Sequence, residues 1–121
     1  MKPINIKEKH TQFTKQWHPH RIATVDNMQV ILAKIKGEFV WHSHDDEDEL
    51  FQVIKGTLYM QFRDRTEVIK EGELIVVPKG VEHNPSTKDG EEVHLLLFEK
   101  LSTAHTGTVE HDMTQTEYPE I

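Results

Sequence analysis

The chain has 121 residues, enough for one domain around one core and too few for two. Its formal net charge of −7 argues against nucleic acid and against an anionic membrane surface, because no basic excess exists to release their counterions. Cysteine is absent, which excludes disulfides and thiolate metal sites, whereas nine histidines supply imidazole without added charge at neutral pH.

No apolar run approaches the length that spans a bilayer, and residues 1–9 hold no apolar stretch of signal-peptide length. A soluble cytoplasmic protein is expected. Near the start, Asn5 and Glu8 form a helix start of capping-box type, with an amide in place of the usual hydroxyl. Ile6, His10, Phe13 and Trp17 then recur at helical spacing, which predicts a short amphipathic helix over 6–16, stopped by Pro19. Such a helix is too short to stand alone and must pack on something.

From Arg21 the texture changes to short β-type runs, and strands are predicted at 22–25, 28–36, 39–44, 49–54, 58–62, 67–70, 74–77 and 93–99. Turn residues such as Asp26-Asn27, Lys36-Gly37, Lys55-Gly56, Glu71-Gly72 and Asp89-Gly90 separate them. Even spacing of short strands points to an antiparallel barrel or sandwich. Residues 102–118 are polar and aperiodic, and read as a tail over the surface or across a neighbouring subunit, or as disorder. The whole is read as a single domain, 1–121, with a helical segment 1–20, a barrel 21–101 and a polar tail 102–121.

His42 and His44 carry the chemistry. Side chains at i and i+2 of a strand share a face, so an extended 39–44 sets two imidazoles side by side. The same alternation points Val40 inward with them and Trp41 and Ser43 outward. Glu49 opens the next strand, with Phe51 and Val53 on its inner face and Leu50, Gln52 and Ile54 on its outer one. His83 supplies a third imidazole from the second half. Three imidazoles and a carboxylate suit divalent transition metals. Within the acidic run Asp45-Asp46-Glu47-Asp48-Glu49, Glu49 is preferred because it starts an apolar strand; Glu47 and Asp48 remain as substitutes.

Gly37, His42, His44, Glu49 and Gly56 resemble the first motif of the cupins. Gly72, Pro78, Gly80 and His83 resemble the second, and 15 residues separate Gly56 from Gly72, as in the smallest single-domain members. The wider run 17–98 resembles a bacterial group of mannose-6-phosphate-isomerase-like cupins, of RmlC-like fold. Two departures are minor. Four residues rather than five lie between Gly37 and His42, and Thr87 stands where the second motif often has an asparagine. The resemblance implies an all-β fold, a small antiparallel double-stranded β-helix (jelly-roll barrel) with a short N-terminal helix, and a metal inside its mouth.

One divalent transition metal ion per chain is therefore expected on His42, His44, Glu49 and His83, as Fe, Mn, Zn, Ni, Co or Cu. Four ligands close a tetrahedral site but leave two adjacent positions of an octahedron for a small-molecule ligand in the barrel. The leading expectation is a metal-dependent enzyme of oxygenase or isomerase type on a small polar, carboxylate- or carbonyl-containing substrate. No separate acid or base is identifiable, and no phosphate loop or basic cluster accompanies the ligands. The alternatives are a non-catalytic binding module that senses a metal or small molecule, and a scaffold with an incidental metal. His18, His20, His105 and His111 read as surface groups, and His10 as a partly buried one. His94 is open to a role facing the cavity. Arg21, Lys34, Arg63 and Arg65 read as solvated. Trp17, Trp41, Leu50 and Ile54 need cover, which predicts a homodimer.

Overall fold

The computed structural model describes residues 1–121. Its one helix, α1 (Ile6–His10), begins where the Asn5 side chain accepts the Glu8 N–H at 3.0 Å. It ends far earlier than the predicted residue 16. The Thr11 hydroxyl donates to the Glu8 carbonyl at 2.6 Å, and the Thr11 N–H turns back on Glu8 as well. Phe13 is then free to drop into the protein, 4.2 Å from the His20 ring. Tertiary burial of Phe13 outweighs the helical spacing of the apolar positions.

Eight strands follow: β1 (His20–Val25), β2 (Met28–Ile35), β3 (Glu49–Lys55), β4 (Leu58–Phe62), β5 (Thr66–Ile69), β6 (Leu74–Val77), β7 (His83–Ser86) and β8 (Val93–Lys100). They form a five-stranded sheet in the order β1-β2-β8-β3-β6 and a three-stranded sheet β5-β4-β7, with antiparallel ladders throughout. This is a jelly-roll arrangement whose ladders do not close into a continuous barrel. Alternation along β3, β4 and β8 puts Phe51, Val53, Leu58, Met60, Leu95 and Leu97 into one core shared by both sheets. Burial of each such side chain contributes roughly 1.5–3 kcal/mol.

β2 departs from alternation. Ile31 through Ile35 are all buried, because the N-terminal segment covers their outer side. Lys34, read as solvated, is buried there, and its ammonium donates to the Phe13 carbonyl at 2.7 Å. Trp17 also differs from its expected outward position. It takes a positive φ of 59°, donates its indole N–H to the Lys36 carbonyl at 3.0 Å and stacks on Phe39 at 4.7 Å.

The predicted strand at 39–44 is not a ladder strand. It touches the three-stranded sheet through two bridges, Glu38 to Ser86 and His42 to His83. Its partner β7 has no strand-like composition, since Pro85 lacks a donor. Buried polar backbone still has to be paired, and Pro85 contributes by accepting the Phe39 N–H at 3.1 Å. Phe39 rather than Val40 is the buried residue here. The C-terminal residues 101–121 run over the surface for much of their length, as expected, but are anchored on the sheets at several points. Thr103 and Thr106 are buried, and residues 119–121 lie along β1, where the Arg21 N–H donates to the Pro119 carbonyl at 2.8 Å. No helix is long and apolar enough to cross a membrane.

Candidate metal centre

Two chain segments stitched by backbone bonds carry the candidate ligands. The His42 N–H donates to the His83 carbonyl at 3.1 Å and the His83 N–H to the His42 carbonyl at 2.9 Å. The Gly80 N–H, in a turn where φ is 80°, fixes the His44 carbonyl at 2.7 Å. Glu49 enters as the first residue of β3, opposite Val77 on one side and Glu99 on the other. Together these elements bring His42, His44, Glu49 and His83 together, all buried, with one ligand atom of each within 4.8 Å of the others.

The imidazole orientations are set from behind. His42 Nδ1 lies 2.8 Å from the Val40 carbonyl, and His83 Nδ1 lies 2.9 Å from the Val81 carbonyl. A carbonyl can only accept, so both rings carry their proton on Nδ1 and turn a bare Nε2 lone pair to the centre. Backbone carbonyls that hold metal-binding imidazoles in this way are a common outer layer of metal sites. His83 Nε2 and both His44 ring nitrogens are buried without a hydrogen-bond partner. Orphaned buried nitrogens are costly unless something takes their lone pairs. Glu49 Oε1 lies 3.6 Å from His83 Nε2 and 3.7 Å from His44 Nε2, too far for hydrogen bonds but apt for a shared ion. Metal–nitrogen bonds of about 2.0–2.1 Å place opposed ligands about 4.2 Å apart, so closing the widest pair takes a contraction of about half an ångström. The donor set fits a divalent transition metal.

Protonation favours the same use. Burial, reinforced by neighbouring His83, lowers the His42 pKa to about 4, and burial also lowers His44. Burial alone would raise Glu49, but His83, His44 and His42 outweigh it and hold its carboxyl below the ordinary value. Burial thus favours neutral imidazoles at His42 and His44 beside an ionised Glu49, the form that binds metal. Of the neighbouring acids, Asp45, Asp46 and Asp48 are exposed, and Asp48 accepts the Lys79 N–H at 2.9 Å.

Beside the cluster lies a cavity with about 40 Å³ open to the centres of water-sized molecules. Its wall is mainly apolar, with Trp17, Phe39, Phe51 and Leu97 among its residues, and no lysine or arginine lines it. Its polar groups beyond His42 and Glu49 are Glu99, His105 and Tyr118. Glu99 sits against Glu49, and burial first, then the Glu49 carboxylate, pushes its pKa well up. It does not stand out in the sequence; in the structure it continues the buried series Val93, Leu95, Leu97 of β8. His105, expected at the surface, instead lines the cavity, and burial lowers its pKa to about 4. No local pattern in residues 102–118 announces that. His20 is likewise buried, while His111 is exposed. His94 faces away from the cavity, stacked on His10 at 4.8 Å and 3.1 Å from Glu92. Arg63 and Arg65 are exposed, as expected, and Arg63 lies over the Trp41 ring at 3.9 Å.

Comparison with known proteins gives a consistent picture. The cupin domain family model matches residues 28–99. A cupin-2 domain protein from Shewanella frigidimarina has a crystal structure that superposes with a TM-score of 0.78 at 43% identity, covering 80% of this chain and 93% of that one. The uncharacterized protein YdbB of Bacillus subtilis is 40% identical over 79 residues, 64% of each chain. Acireductone dioxygenase 1 of Vitis vinifera is 33% identical over 93 residues, 70% of this chain and 49% of that protein. The chain thus spans less than two thirds of the length of either of these last two relatives.

Proposed function

The chain belongs to the cupin domain family, and on that premise we propose that it is a metal-dependent enzyme acting on a small carbonyl- or carboxylate-containing molecule. One observation carries the reading: four buried ligand-type side chains converge, and two of them, His42 and Glu49, line a largely apolar cavity. His42, His44, Glu49 and His83 hold one divalent ion. A bound ion of this kind supplies Lewis-acid polarisation of a carbonyl or enolate oxygen. The chain's own part is to keep the imidazoles aimed, to exclude bulk water with Phe39, Phe51 and Leu97, and to leave room for a ligand beside Glu49.

Between the two reaction types, the oxygenase class is favoured. The plant relative is named a dioxygenase, and it is similar to this chain over 93 residues. A mannose-6-phosphate-isomerase-like activity has little support, because a phosphate would meet no lysine or arginine in the cavity. The test is elemental analysis of untagged protein prepared without chelators, followed by an oxygen electrode with a panel of enolisable hydroxyketones. Stoichiometric metal and substrate-dependent oxygen uptake, lost in His42→Ala, are expected. Protein that takes up no Fe, Mn, Ni or Zn would refute the reading.

The small size of the inner cavity, about 40 Å³, favours a second reading: a non-catalytic sensing module closed around its ligand. Ligand-induced thermal stabilisation without turnover would identify it. For assembly we propose a cytoplasmic homodimer, supported by the uncovered apolar residues Leu74 and Val76 on β6 and by the charge-rich, cysteine-free composition.

A further inference from the structure

The segment after β8 is seated on the candidate metal centre itself. Gly107 takes a φ of 60°, and a Cβ added there would lie 2.0 Å from the carbonyl oxygen of Ser43, the residue between His42 and His44. Such closeness is available only to glycine and fixes the segment against the ligand loop. Thr106, buried beside it, bonds the Thr114 hydroxyl at 2.8 Å and the Val109 carbonyl. These bonds tie the segment into a compact loop that delivers His105 to the cavity.

The His105 ring is held on three sides. Phe39 packs at 4.8 Å, Tyr118 meets it edge-on at 5.9 Å, and the Gln115 N–H donates to Nδ1 at 2.7 Å. With Nδ1 acting as acceptor, the neutral ring carries its proton on Nε2. No protein group accepts that proton. Burial holds the imidazole neutral at pH 7. On the other side of the ring lies a larger recess of about 630 Å³, walled by the C-terminal segment, Arg21 and Gln29. His105 and Tyr118 are the two residues that line both spaces, so they form the partition between the recess and the inner cavity.

We propose that His105 is a ligand-contacting residue, whose Nε2–H donates to an oxygen of a small monoanionic oxygen chelator bound at the His42, His44, Glu49 and His83 cluster. The chelator's charge follows from the wall. A divalent ion on one carboxylate retains one positive charge, and a cavity without lysine or arginine offers nothing to balance a dianion. The proposal rests on the reading that the cluster holds a metal.

The test uses the full chain loaded with Zn(II), with acetohydroxamate, which binds metals as a monoanion through two oxygens, as probe. Zinc content is measured first, in the wild type, His105→Phe and His105→Gln. A zinc-free wild type would overturn the metal reading itself. Equal zinc in all three is expected, and loss confined to the variants would place His105 in the metal-holding set instead and overturn the present assignment. Calorimetry then reads chelator affinity. His105→Phe keeps a ring and removes the donor, and is expected to weaken binding about tenfold. His105→Gln restores a donor and should stay within about threefold of the wild type. Equal affinity in His105→Phe and the wild type, equal loss in both variants, or no binding to the wild type overturns the proposal. Should His105→Phe fail to fold, the wild type decides by long-range 1H–15N spectroscopy. The His105 Nε2 resonance should show the Nε2–H tautomer and move when the chelator is added; an unmoved resonance overturns the assignment.

Discussion

His42 and His83, 41 residues apart in the chain, exchange a reciprocal pair of backbone hydrogen bonds at 3.1 and 2.9 Å. Each also anchors its own Nδ1 on the carbonyl two residues before it, Val40 for His42 and Val81 for His83. The centre is therefore positioned by main chain, which substitution of side chains leaves in place. Removing one imidazole should delete a ligand without unravelling the loop that carried it.

Metal content follows directly. His42→Ala, His83→Ala and Glu49→Gln should each weaken metal binding by more than about a hundredfold, beyond the 10–100-fold typical of outer-layer partners. Asp48→Asn, four residues from His44 in the same acidic run, should keep full metal content and lose at most about 1 kcal/mol, the worth of its bond to the Lys79 N–H. Competition with a chromogenic chelator measures all four. Metal loss in Asp48→Asn of the same size as in Glu49→Gln would show that the wrong carboxylate is assigned.

Acid should destabilise the metal-free protein over a defined window. His42 and His105 have pKa values of about 4 in the folded chain against an ordinary 6.5, each because burial disfavours the charged ring. Depressed folded values mean that the unfolded chain binds more protons as pH falls below 6.5. Stability from these groups is complete above that value and is lost progressively as pH falls toward 4, by at most about 3 kcal/mol per group. His10, His18, His20 and His44 shift in the same direction. Urea midpoints measured from pH 7.5 to 4 should decline most steeply inside this window. A flat profile would mean that the imidazoles are not buried and neutral.

The parts of the centre that could be read from the chain were those governed by local rules. The spacing of His42 and His44, the start of an apolar strand at Glu49, and the turn before His83 all act within a few residues, and the structure brings those four side chains together. Glu99 was missed because His94 was read as the cavity-facing candidate of β8, whereas the opposite set, Val93, Leu95, Leu97 and Glu99, is the buried one. The strand expected at 39–44 fails for a different reason. Its partner β7 contains Pro85, and the pairing is limited to two bridges, one of which joins the ligands His42 and His83. His105 and Tyr118 lay beyond reach because an aperiodic segment places them, held by distant contacts such as Gly107 on Ser43. α1 stopped short because Phe13 gains more from burial than from one further helical turn.

Gly107 and Gly37 offer a controlled comparison. Both have positive φ, 60° and 84°, so alanine at either meets backbone strain of about 1–2 kcal/mol. A Cβ at Gly37 meets open space, whereas one at Gly107 would lie 2.0 Å from the Ser43 carbonyl oxygen. Gly37→Ala should therefore cost the strain alone. Gly107→Ala must also displace the C-terminal segment or the ligand loop, with a further cost of about 1–3 kcal/mol. Limited proteolysis should then cut within residues 101–121 of Gly107→Ala and spare Gly37→Ala. Equal stability and equal protection would show that the segment does not rest on Ser43.

The remaining prediction concerns the outer face of the five-stranded sheet. Leu50 on β3 stands opposite Val76 on β6 and Phe98 on β8, and Gln52 stands opposite Leu74 and Leu96. Leu74 is 54% exposed and Val76 49% exposed, so this apolar strip lacks cover within one chain. Trp17 does not contribute to it, being stacked inside on Phe39. Stable protein interfaces bury about 1,200–2,000 Å² in total, and the part of the face that the N-terminal segment leaves open, around β3 and β6, is where a second copy would dock. Sedimentation at micromolar concentration should give about twice the 14.1 kDa chain mass, and Val76→Glu combined with Leu74→Glu should give the single-chain mass with metal content unchanged. A wild type that sediments as a single chain would exclude the dimer. A double variant that remains dimeric would move the interface off β6.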